Sequence, residues 1–205
     1  MQRAPLDRRL HTGGGTRQRS LALCRELGNR RGVASTPRSL GRTRYATGGF
    51  TAAADLAEQS LAICQEIGDR QGEANTLHDL GRARHATADV SAAADPLQRA
   101  REAFHTLGDP QGEAEVLNST AALLADTAGP QEALATYKDA LALARNSTSP
   151  LDEAHALEST ARCLAQLGNR PAALAELRLA AEIYHRIGSA EAANASAQLA
   201  ALEEP

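Results

Sequence analysis

Apolar positions recur at three- and four-residue steps along most of this chain, as in Leu77 and Leu80, with Arg84 at the next step, then Ala93, Leu97 and Ala100. That spacing puts one apolar stripe on each helix. Polar turn pairs interrupt the stripe at Gly68-Asp69, Gly108-Asp109 and Gly168-Asn169. Glycine accepts the left-handed backbone at a helix end, and Asp or Asn caps the helix that follows. The pattern predicts two helices per unit, for example Gln71 to Thr87 and Ser91 to Leu107, joined at Ala88-Asp89.

The units repeat without gaps at a shift of 40 residues. SLALCRELGNRRG from Ser20 aligns with SLAICQEIGDRQG from Ser60, AREAFHTLGDPQG from Ala100, ALALARNSTSPLD from Ala140 and AAEIYHRIGSAEA from Ala180. Gly28, Gly68, Gly108 and Gly188 share one register position, which Thr148 takes in the remaining copy. A fixed period of this length is the mark of a solenoid, whose units bury their apolar faces against their neighbours.

Two further features fix the register. A Leu-Gly pair, Leu40-Gly41 or Leu80-Gly81, is followed twelve residues after the glycine by Ala53 or Ala93. Ala57 and Ser60, or Leu97 and Ala100, come next. Later copies keep Ala133, Tyr137, Ala140 and Ala173, Leu177, Ala180, with Thr120-Ala121 and Thr160-Ala161 replacing the pair. In this register residues 16 to 204 resemble tetratricopeptide (TPR) repeats. The forty-residue variant with GDRQGEA-like linkers is similar to the C-terminal arrays of actinobacterial SARP-type regulators and of NB-ARC-type STAND ATPases, and to those of Pins-family adaptors.

The resemblance implies an all-α, right-handed superhelical solenoid of antiparallel helix pairs. It would hold about four units, near 31–69, 71–109, 111–149 and 151–189, with unpaired helices at each end. Arg17 to Leu27 reads as a second helix without its partner, and 191–203 as a closing cap finished by Glu203-Glu204. Residues 1–15, with Gly13-Gly14-Gly15 and arginines at 3, 8 and 9, are too poor in apolar side chains to pack and read as a disordered tail. Pro37 falls inside a first helix, where it removes a backbone donor at a cost of about 3 kcal/mol. A kinked or loose first unit is expected there.

In TPR arrays the first helices line a concave groove. Two residues before the Leu-Gly leucine, the chain places Arg38, His78, Asn118 and Glu158. Two residues after it stand Arg42, Arg82, Ala122 and Arg162, and five after it Tyr45, His85, Ala125 and Ala165. Donors at Arg38, Arg42, Tyr45, His78, Arg82 and His85 would suit carboxylates of an acidic protein or peptide. The alternative is a solvated face whose arginines pair with local acids. The Lys and Asn of the family's carboxylate clamp are absent, so recognition of a chaperone tail is not expected.

Composition narrows the function further. Aromatic residues are 2% of the chain, which suits close-packed alanine-rich helices better than a sheet. No apolar run is long enough for a membrane span or a signal peptide, which points to a cytoplasmic protein. Cys24, Cys64 and Cys163 are an odd, widely spaced set, fitting small core residues better than disulfides or zinc. Lys138 lies in Tyr137-Lys138-Asp139 on a helix and makes no phosphate loop. His-Glu-x-x-His, Gly-x-Ser-x-Gly and Cys-x-x-Cys are missing, so neither an enzyme nor a cofactor is expected.

Residues 1–50 carry eleven arginines against Asp7 and Glu26, a net of +9 in a chain of net −3. Phosphate attraction follows, but no helix-turn-helix, zinc finger or aromatic platform accompanies it, so nucleic-acid binding ranks third among the readings. The first is a protein-binding scaffold. The second is a self-associating or regulatory module of a larger SARP-type or STAND-type regulator.

Overall fold

The structure is a computed structural model, described here for residues 29–203. The expected tail at 1–15, the helix expected at Arg17 to Leu27, Cys24 and Glu204 lie outside the described residues. Nine helices occupy the described chain: α1 Arg30–Ala46, α2 Phe50–Ile67, α3 Arg70–Ala86, α4 Val90–Leu107, α5 Pro110–Thr127, α6 Pro130–Asn146, α7 Pro150–Gln166, α8 Arg170–Ile187 and α9 Ala192–Glu203. No strand occurs among the described residues, and no described helix is long and apolar enough to cross a membrane. The described residues divide into two compact units, the first ending at Asp89 and the second beginning at Val90.

Caps set the helix boundaries. Asn29, Asp69 and Asp109 accept the backbone N–H three residues on, at 3.0, 3.2 and 2.9 Å, and Asn169 does so at 3.4 Å. Each satisfies one of the donors orphaned at a helix start. At the opposite ends Gly68, Gly108 and Gly188 adopt φ of 68°, 66° and 66°, and Thr148 is held at φ 53° in the same register position. Thr148 therefore carries a left-handed conformation that costs a β-branched residue more than glycine.

In the first unit α2 packs against both α1 and α3, and α1 also touches α3. Ala34, Ala53, Ala57, Cys64, Ala74, Leu77 and Leu80 form its interior. Gly41 brings α1 close to α2: a Cβ there would stand 3.3 Å from the Ala53 carbonyl oxygen and 3.4 Å from Leu56 Cβ. Buried Ser60 donates to the Ala34 carbonyl at 2.8 Å. Helix α1 runs unbroken through Pro37, whose side chain is buried, and Arg38 one residue on ties α1 to α3. Pro37 is thus accommodated within a continuous helix, buried and next to an ion pair. Pro96, inside α4, is buried in the same way.

In the second unit each helix from α4 to α9 packs on the next, and α5 also meets α7. Volume is traded along the register. Phe104 fills the space a Cβ on Gly112 would need, 2.4 Å from that position. Forty residues before this pair stand Cys64 and Gly72; forty and eighty after it stand Ala144 with Asp152, and Tyr184 with Ala192. Close packing makes such compensation necessary. Cys64 and Cys163 are buried free thiols, as their place in the apolar stripe leads one to expect.

Candidate functional site

The groove positions of the first unit converge on one cleft. Arg38, Arg42, Tyr45 and Arg82 line it together with Gly41, Ala46, Ala53, Ala57 and Asp79, around a volume of about 180 Å³. Arg38 Nε donates to Asp79 Oδ2 at 2.8 Å and its Nη2 to Asn75 Oδ1 at 3.1 Å, so this arginine belongs to the wall. Tyr45 packs edge-on to Phe50 at 5.2 Å between centroids, and Arg82 Cζ sits 4.7 Å from the centre of its ring. A cation over an aromatic face gains about 0.5–1 kcal/mol at an exposed site, which holds Arg82 in place without neutralising it. Neither Arg42 nor Arg82 has an acidic partner among the described residues.

Three guanidinium groups against one carboxylate leave the cleft positive. His78, buried on α3, registers that field: burial first, then Arg82, Arg38 and Arg42, lower its pKa from 6.5 to about 3. The imidazole is neutral at pH 7, so it adds no charge to the cleft. His85, one turn beyond Arg82, is half-buried and outside the cleft lining.

The groove positions of the second unit are used differently. Asn118 Nδ2 donates to the Asp152 carbonyl at 3.3 Å, joining α5 to α7. Glu158 accepts from Tyr184 Oη at 2.8 Å and from Gln198 Nε2 at 2.8 Å, joining α7 to α8 and α9. Burial and the bond to Glu158 push the Tyr184 hydroxyl well above its ordinary range. Arg162 is exposed, with Ser159 Oγ 3.3 Å away. The structure thus gathers Arg38, Arg42, Tyr45 and Arg82 into one cleft, sets His78 behind it, and commits Asn118 and Glu158 to helix packing.

Asp79, Ala46, Ala53 and Ala57 were not recognised from sequence as parts of a site. Ala57 had a signal: the same register holds Leu97, Tyr137 and Leu177 elsewhere, all buried. In the second unit Tyr137 packs with Ala121, Ala133 and Cys163. Its hydroxyl is enclosed without a hydrogen bond of ordinary geometry. Burial raises its pKa, offset in part by Ser159 and Arg162 beside it. In the first unit alanine leaves that volume open, and the cleft is the result.

Known proteins can now be set beside this geometry. Residues 32–106 match the Tetratricopeptide repeat family profile. That segment contains the whole cleft. A comparison with curated proteins gives no match. Among solved structures, the chain is similar to BtubC (BKLC) from P. vanneervenii, with TM-score 0.78 and 16% identity over 96% of this chain and 84% of that one. It also resembles a Rap protein complexed with Competence and Sporulation Factor, with TM-score 0.75 and 17% identity over 82% of this chain and 48% of that one. The nearly identical TPR-like repeats of a Podosopora anserina protein give TM-score 0.58 and 18% identity over 82% and 94%. At these identities the likeness establishes the TPR-like helical fold.

Among the described residues no group of three or more His, Cys, Asp or Glu is placed to hold a metal ion. What the cleft offers is charge, hydrogen-bond donors and an apolar floor.

Proposed function

We propose that this chain is a non-catalytic scaffold that holds an acidic protein or peptide in the cleft of its first unit, in a regulatory role. The observation that carries this reading is the pair Arg42 and Arg82, both on the cleft, neither ion-paired to a carboxylate among the described residues, with the cleft's own Asp79 bonded to Arg38. Other arginines find local acids, as Arg84 does with Glu58 at 2.6 Å and Arg145 with Glu153 at 2.8 Å, and the exposed Arg162 lies beside Ser159; Arg42 and Arg82 differ in lying together on one cleft. A guanidinium fork left open beside an apolar floor is suited to a partner's carboxylate. Support of a weaker kind comes from the Rap protein, whose structure holds Competence and Sporulation Factor on a similar fold. The forty-residue period and GDRQGEA-like linkers favour a regulator of the SARP or STAND type as the setting.

The test is capture from native lysate with the wild-type chain, with Arg42→Glu/Arg82→Glu, and with the linker control Arg70→Glu, after circular dichroism shows all three helical. A partner lost with the double variant and kept with Arg70→Glu is the expected result. Identical partners on all three chains would sink the reading.

A further inference from the structure

The cleft has an internal template for its guest. Its lining residues Gly41, Ala53, Asp79 and Arg82 correspond, forty residues at a time, to Ala121, Ala133, Ser159 and Arg162. Those are the residues around the Tyr137 side chain. The volume of about 180 Å³ is therefore the place of a missing side chain rather than an irregular gap. A cavity of roughly 150 Å³ accommodates a benzene ring, so one aromatic ring fits and a second does not.

From this correspondence, and resting on the scaffold reading above, we infer that the cleft receives one aromatic side chain from an acidic partner segment, in the position that Tyr137 fills in the second unit. Ala46, Ala53 and Ala57 provide the apolar floor, and the Tyr45 ring provides an aromatic wall. Ring pairs prefer offset or edge-to-face contact, which an aromatic guest gains and an aliphatic one does not. Asp79, standing where Ser159 lies beside the Tyr137 hydroxyl, offers a carboxylate to a phenolic O–H. Arg42 and Arg82 at the same cleft complement acidic residues flanking the ring. Tyrosine between glutamates is the sequence chemistry that satisfies all of these at once.

The test uses fluorescence anisotropy of a fluorescein-labelled peptide with a central tyrosine flanked on both sides by glutamate, a matched peptide with central alanine, and the full chain. The tyrosine peptide is expected to bind at least about tenfold more tightly than the alanine peptide, the scale of burying one ring. Ala57→Leu, which fills the cleft from within, is expected to remove that advantage. Equal affinity for both peptides, or a tyrosine advantage that survives in Ala57→Leu, overturns the inference. If Arg82→Glu still abolishes binding in that case, the scaffold reading stands alone. Binding of neither peptide also overturns it, leaving the lysate capture to judge the scaffold reading. Concentration-dependent self-association that Ala57→Leu abolishes would give the cleft to a second copy, against the inference. A measurement on the wild-type chain covers the possibility that Ala57→Leu does not fold: nuclear Overhauser contacts from the peptide's tyrosine ring to the methyls of Ala46, Ala53 and Ala57 are expected, and their absence contradicts the assignment.

Discussion

The two units solve one packing problem in opposite ways. At the register of Ala57 and Tyr137, the first unit leaves a cleft and the second fills it. At the register of Arg38 and Glu158, the first unit ties α1 to α3 through Asp79, and the second ties α7 to α8 and α9 through Tyr184 and Gln198. The first unit keeps Arg42 and Arg82 open where the second has Ala122 and an exposed Arg162 beside Ser159. One register thus serves packing in the second unit and leaves a cleft in the first, which is where the proposed function puts the partner.

Substitutions that exchange the two solutions test this contrast directly. Tyr137→Ala opens in the second unit the space already open in the first, and urea unfolding is expected to show a loss of about 3–5 kcal/mol. A loss under about 1 kcal/mol would mean that Tyr137 is not the filling element.

Acid bears on the first unit through His78. Its pKa falls from 6.5 to about 3 on folding. Between those values the unfolded chain binds the proton and the folded chain excludes it. This contribution to stability is therefore full above pH 6.5 and lost progressively as pH falls toward 3, at up to about 1.4 kcal/mol per pH unit. His78→Asn is expected to flatten that part of the stability profile measured by chemical unfolding. An unchanged slope would place the acid sensitivity elsewhere.

Glu158→Ala removes the acceptor shared by Tyr184 and Gln198. Leaving a buried hydroxyl unpaired costs about 1–3 kcal/mol, and backbone amides of α9 are expected to exchange faster with deuterium. Unaltered exchange there would show that α9 docks without Glu158. The smallest effect has the opposite sign: Ala57→Leu is expected to stabilise the chain by about 1 kcal/mol, read as a higher thermal midpoint.

Much of the fold was readable because its determinants are local. Gly68-Asp69 and Gly108-Asp109 announced the turns, and the helix expected at Gln71 to Thr87 is found at Arg70–Ala86. Spacing did not announce the surroundings of Pro37, which lies buried within a continuous α1 beside the Arg38–Asp79 ion pair. The candidate site was half legible. Family register named Arg38, Arg42, Tyr45 and Arg82, whereas Glu158 and Asn118 stood in the same register with different work. Pairing depends on what the next helices present, and sequence spacing does not carry that. Ala57 was visible in the alignment of the copies, but an alanine among alanines draws notice only when Tyr137 is seen filling the equivalent space.

The most direct test places a photo-crosslinking benzoylphenylalanine at Arg42 in one chain and at the equivalent Ala122 in another, followed by irradiation in native lysate and mass spectrometry of the adducts. A discrete partner joined through position 42 and not through position 122 is the predicted result. Equal adducts at both positions, or adducts at 122 alone, would contradict the assignment of recognition to the first unit.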